Sequence, residues 1–436
     1  MNLGEIALKT VPTIGETNVN PVTRGTLVVV VAIAGLLPPW AIGAQTPSLP
    51  ADPDNAAFLY YQAFLLRSEP AGDTLTKYDE FVQGGELTNS VRRYLWRIGD
   101  TITLADDAVK LAKCDWGIQY SRGFSCRLPQ VQGIRSLARD LSAHAQMLAV
   151  DGDCRGALTR CLMMRQMAGQ IGEDMLLLYA SSHIMDRMAL LSIQHVLGRV
   201  PPDAETLRWL KQELPTVNGA PSSPAHAWRM DFELAMVSLR NSPGLLKIIR
   251  DQLVLRAADP VEQQAMANLT DEELIARARR PYASFLDSAI EIVHSDMPYT
   301  EVYARLQKLA DDLKENYGND PAARQVIMAC ANSVHNNLWA KDRALRTLLD
   351  VAIEIYLVVA ETGRLPQRLA DDWPRDPLTG ESFDYEVTEE GFILRSRTED
   401  IPGGGNPPLE FRVHESALQG TGLGRTTTAS TPKSTG

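Results

Sequence analysis

The 436-residue sequence predicts a mainly α-helical protein: an array of helical hairpins, followed near the C-terminus by a small α+β module with a three-stranded antiparallel sheet. Three observations predict it. Apolar residues recur at three- and four-residue spacing over most of 54–362, the period of one helix face. Short breaks rich in glycine, aspartate or proline separate these stretches. After Gly363 the apolar period falls to two, that of a strand.

Taken in order, the chain opens with an apolar run, Thr26 to Leu37, preceded by Arg24 and followed by Pro38, Pro39 and the small residues Gly43 and Ala44. Twelve residues are too few to span a bilayer, which takes about 20, and the run reads as a signal peptide ending near residue 44 or as a retained N-terminal anchor. Removing 1–44 takes out Lys9, Arg24, Glu5 and Glu16, so the net charge stays at −11. A Pro-rich linker, 45–53, leads to the helical domain, 54–320. A short helix, AAFLYYQAFLLR, ends before Pro70; 70–90 reads as a loop, and a single helix is expected from about Thr88 to Lys113. Residues 114–130 form a second loop. Val131, Ile134, Leu137, Leu141, Ala145 and Leu148 then mark one helix face, broken by Asp151-Gly152-Asp153. A second helix carries Leu158, Leu162, Ala168 and Ile171, and a third runs from about Asp174 to Arg199. The text LAVDGDCRGAL resembles a tetratricopeptide turn, without a regular 34-residue period. Further on, Ser223 with Pro224 reads as a cap with proline at the first helical position, and Thr270-x-x-Glu273 as a capping box. Val302, Leu306, Leu309 and Leu313 form another amphipathic face, and Leu345, Leu348, Ala352, Ile355 and Val359 the last.

The final unit is expected over 321–415, as a long helix plus a β module, with a disordered tail over 416–436. Phe383, Tyr385 and Val387 alternate, Glu389-Glu390-Gly391 turns, Phe392 and Leu394 return, and Leu409, Phe411 and Val413 alternate again. The stretch from Ala344 to Ser396 resembles the soluble half of a type II secretion pseudopilin, through Gly363, Pro366, Asp376, Pro377, Gly380, Tyr385 and Ser396. That resemblance implies a helix packed on a hairpin. The chain departs from the family in having its only apolar span hundreds of residues upstream, and in lacking the family's calcium-loop pattern after Ser396. NAAFLYYQAFLL, CDWGIQYSRG, LPQ and RSLARDL are similar to uncharacterised exported proteins of planctomycete-type bacteria, a resemblance that implies architecture and compartment but no activity.

Charge excludes some partners. With 43 basic against 54 acidic residues, nucleic acid is not an expected partner, and the membrane is one only through an uncleaved N-terminal segment. Signatures for zinc hydrolysis, serine hydrolysis, phosphate loops and dinucleotide binding are absent from the text. No cofactor and no metal site are expected. Asp151-Gly152-Asp153 imitates the start of a calcium loop, but Leu162 stands at the twelfth position, where glutamate is required. His183, Met185, Asp186, Met188 and His195 share an apolar helix, where methionine at helical spacing reads as core and a histidine as a satisfied core or interface residue. Asp371-Asp372 and Glu389-Glu390 read as solvated loop pairs. In the loop at 114–130, Trp116, Tyr120 and Phe124 are candidates for an interaction surface or a lid. Export to an oxidising space predicts one disulfide, Cys114–Cys126, across that loop. The chain is expected to be an exported, non-enzymatic scaffold contacting other envelope proteins in the periplasm or cell envelope. The alternative is an envelope hydrolase with a site assembled from dispersed acidic residues and histidines.

Overall fold

A computed structural model describes residues 52–199, 203–330, 338–396 and 409–413, without the side chains of 325, 326, 328–330 and 410. The apolar run, the start of the linker, the expected tail and the stretch after Ser396 lie outside the described residues. By contacts the chain divides into Met1–Asp52 and Pro53–Gly436, and every element below belongs to the second.

The fold is mainly helical, with a three-stranded antiparallel sheet near the C-terminus. α1 (Ala56–Leu66) is capped by Asn55, whose side chain accepts from the Ala57 amide. The stretch expected as a loop holds α2 (Asp73–Val82) between Gly72 and Gly84, both at positive φ. Only Tyr78 and Phe81 bury its apolar face, too sparse a pattern to register as a period. The single helix expected over 88–113 is two, α3 (Asn89–Arg97) and α4 (Gly99–Val109), because the backbone turns out of the helix at Ile98. α5 (Pro129–Val150) and α6 (Cys154–Ile171) form the expected hairpin, with Asp153 capping α6 through the Gly156 amide at 2.8 Å. Asp151 is held by Arg92 at 2.6 and 2.7 Å. α7 (Leu176–Arg199) returns along both of them.

After α8 (Ala204–Glu213) come α9 (Ala225–Arg240), α10 (Pro243–Arg256), α11 (Pro260–Ala267), α12 (Asp271–Val293), α13 (Tyr299–Tyr317) and α14 (Pro321–Cys330). Thr270 and Glu273 close the expected capping box. α9 starts one residue later than expected: Pro224 is the cap, and Ser223 Oγ accepts from the Ala225 amide. α15 (Leu338–Thr362) stops at Gly363, whose φ of 67° a side chain would disfavour. The strands β1 (Asp384–Thr388), β2 (Gly391–Arg395) and β3 (Leu409–Arg412) pair in the order β1-β2-β3, with Phe392 opposite Phe411. Residues of the pseudopilin-like stretch meet in pairs: Tyr385 donates to the Pro366 carbonyl at 2.9 Å, and Ser396 to the buried Asp376 carboxylate.

The apolar interior forms two clusters. The first joins α1 to α8 with the sheet and Leu345–Val359 of α15; the second joins α9 to α14 with Trp339, Ala340 and Ala344 of α15. The boundary expected at 320/321 therefore crosses shared packing. The inner sheet face, Phe392, Leu394, Leu409 and Phe411, is covered by α15 through Tyr356 and by α7. Three short strands have too little surface to bury this face alone.

A candidate binding groove along α7

α7 carries different chemistry on its different faces. Toward the interior, Asp186 is fully buried and bridges two arginines: Arg165 of α6 at 2.8 Å and Arg346 of α15 at 3.0 Å. Arg165 also donates to the Leu214 carbonyl. Gly219 is required beside them, because a Cβ there would lie 2.7 Å from Asp186 Oδ1 and 2.8 Å from Arg165 Nη2. One turn earlier, His183 Nδ1 meets Asp342 Oδ2 of α15 at 2.6 Å, and the His183 ring packs edge-on to Tyr179 at 4.4 Å. Burial raises the Asp342 carboxyl above the usual range, an effect that His183 opposes. His183 Nε2, the Tyr179 hydroxyl and Arg346 Nε have no hydrogen-bond partner among the described residues. Met185 is core, as its spacing suggests.

The outer face borders two cavities that share His195. One, about 340 Å³, has the apolar wall Val82, Ile184, Met188 and Leu191, with Arg139 and Arg187 at its edges. Ser142 of α5 and Ser192 of α7, hydrogen-bonded at 2.8 Å, also line it. The other, about 380 Å³, is lined by Gly84, Gln194, His195, Gly198, Arg199 and Arg412. α7 supplies one wall of both, and the end of α2, α5 and β3 supply the rest. Among the described lining residues every charged side chain is an arginine, although the chain as a whole is acidic. Arg139 pairs with Asp79 at 2.6 Å, Arg187 lies 4.0 Å from Asp342, and Arg412 lies 3.5 Å from Glu390. Arg199 donates to the Gly84 carbonyl at 3.1 Å and meets no carboxylate among the described residues. Desolvation, with Arg199 adding to it, holds the His195 pKa below the ordinary histidine value. The groove thus offers guanidinium donors and a neutral imidazole beside an apolar wall.

The loop residues singled out from sequence separate. Trp116 turns inward, stacks on Tyr60 at 5.5 Å and donates to the Gln170 carbonyl at 3.0 Å. Tyr120 donates to Asp174 Oδ2 at 2.6 Å, while His226 Nε2 lies 2.9 Å from the other oxygen of that carboxylate. Phe124 stays exposed, its amide donating to Ser238 Oγ at 2.9 Å. The expected disulfide is corrected: Cys114 and Cys126 are both free thiols. The loop carries them to different neighbours, Cys114 to the Ala57 backbone of α1 and Cys126 to Met175, sulfur to sulfur at 3.5 Å. Burial pushes the Cys114 thiol up to about 12, which disfavours the thiolate that oxidation requires. Asp371, Asp372, Glu389 and Glu390 are exposed.

Sequence reasoning named His195 and Met188 but missed the arginines. Arg187, Leu191, His195 and Arg199 follow one another at exact four-residue steps, a stripe on one helix face that could have been read. Arg139, Arg412 and Gly84 come from distant segments and carry no such signal. No protein-family profile matches the chain, and neither a curated protein nor a solved structure does. No described helix is long and apolar enough to cross a membrane.

Proposed function

We propose that the chain is an exported, non-enzymatic scaffold of the cell envelope that presents its helical surface to other envelope proteins. The N-terminal apolar run supports export. One structural observation carries the scaffold reading. The buried carboxylates, arginine and histidine among the described residues (Asp140, Arg165, His183, Asp186, Asp231, Asp342 and Asp376) each bond to a group on a different segment. Asp140 of α5 is the fullest case, accepting from Arg67 at 2.6 Å, Tyr78 at 2.7 Å and Tyr94 at 3.0 Å. Interior charge here holds helices in register, a role that favours a rigid platform.

A second reading, an envelope hydrolase, is favoured by one feature: Tyr120 and His226 both bond to the half-exposed carboxylate of Asp174. Two experiments separate them. Photo-crosslinking residues placed at the exposed Phe58, Leu65 and Leu66 of α1 should give discrete adducts in native envelopes. Hydrolysis of envelope polymers by the purified chain, lost on Asp174→Asn or His226→Ala, would overturn the scaffold reading. Recovery of the chain in the cytoplasm would overturn export.

A further inference from the structure

We infer that the α7 groove is a binding site for an anionic amphiphile, a ligand with a phosphate- or carboxylate-type head and an apolar chain. The two halves of the groove differ in chemistry. The larger cavity presents Arg199, Arg412, His195 and Gln194 around the bare backbone of Gly84 and Gly198. The smaller presents Val82, Ile184, Met188 and Leu191. His195 lines both, so a molecule seated there meets a cationic end and an apolar end of the site.

The sign of the charge is the deciding feature. Acidic residues outnumber basic ones 54 to 43 in the chain, so four arginines without a carboxylate among the described lining residues run against composition. Far from the groove the net charge of −11 repels an anion, so attraction must come from groups close to the head, where screening is weakest. Arg199 is suited to this, because its present partner is a neutral carbonyl that an oxyanion can outcompete. Arg412, half-engaged with exposed Glu390 at 3.5 Å, faces the same cavity from β3. The volumes, about 380 and 340 Å³, fall in the range of small-molecule sites. Ile184, 45% exposed, leaves the apolar half open along one lip, as a chain of variable length requires.

Calorimetric titration of the full chain tests this with four probes: inorganic phosphate, octyl phosphate, octanoate and the neutral octyl glucoside. Octyl phosphate or octanoate should bind at least about tenfold more tightly than both inorganic phosphate and octyl glucoside, since head and chain contribute together. Whichever of the two binds better identifies the head. Arg199→Gln with Arg412→Gln should weaken the anionic amphiphiles about tenfold or more and leave octyl glucoside unchanged. Ile184→Asn should weaken octyl phosphate without altering inorganic phosphate. These side chains are at least partly exposed, so folding should survive, and circular dichroism checks it. Octyl glucoside binding as tightly as the charged probes, or anion affinity unmoved by the double arginine variant, overturns the inference.

Discussion

Asp140 and Asp186 are both fully buried carboxylates on neighbouring helices, yet their surroundings differ. Asp140 is a closed hub. One oxygen takes two tyrosine hydroxyls and the other takes Arg67, all from segments within about 75 residues of it in sequence. Asp186 opens onto a longer chain of polar groups that joins α6 and α7 to α15, some 160 residues away. Around it, His183 Nε2, the Tyr179 hydroxyl and Arg346 Nε are left unmatched among the described residues. The difference teaches that a buried charge can be tied completely by near neighbours, or shared along a longer chain of groups that leaves polar atoms unmatched among the described residues.

Removing each carboxylate tests that contrast. Asp186→Ala leaves Arg165, 1% exposed, as a buried cation whose remaining partner among the described residues is the neutral Leu214 carbonyl, and should cost about 3–5 kcal/mol in denaturant unfolding. Asp140→Ala should cost less, about 2–3 kcal/mol, because Arg67 is 11% exposed and still has Glu69 at 3.1 Å. Equal losses would erase the distinction. Acid sharpens it from another side. His144 of α5 has its pKa lowered to about 4 by desolvation, with Arg160 adding to the effect. The unfolded chain therefore binds the proton first, and stability should fall as pH drops from about 6.5 towards 4, by up to about 3 kcal/mol. The raised carboxyls of Asp231 and Asp342 work in the opposite sense, since for them the folded chain holds the proton at higher pH. The contribution of His144 is isolated by comparing wild type with His144→Gln, whose unfolding free energy should lose that slope. The smallest effect lies away from both hubs. Thr270→Ala removes one side of an exposed capping box and should cost about 1 kcal/mol.

Much of the architecture was readable because two periods dominate it. The α5–α6 hairpin follows from its apolar stripe and the Asp-Gly-Asp break, and the strands follow from alternation ending at Val413. α2 was missed because ten residues with two buried side chains look like a polar loop. The break at Ile98 was missed because apolar spacing continues through it while the backbone does not. The Cys114–Cys126 expectation weighed loop length and compartment, but the thiols answer to neighbours on α1 and ahead of α7 that no local reading supplies. The groove was half readable: α7 displays its own stripe, whereas its partners on α2, α5 and β3 are brought there only by tertiary packing.

The passage of α15 through both apolar clusters bears on how the protein is made. Leu345–Val359 complete the cluster built by α1 to α8, although they are synthesised some 130 residues after α8 ends. Until then α7 and α8 lack the surface that covers them, so the first half of the chain emerges with its interior open. Such a chain reaches its final stability only after nearly all of it has left the ribosome.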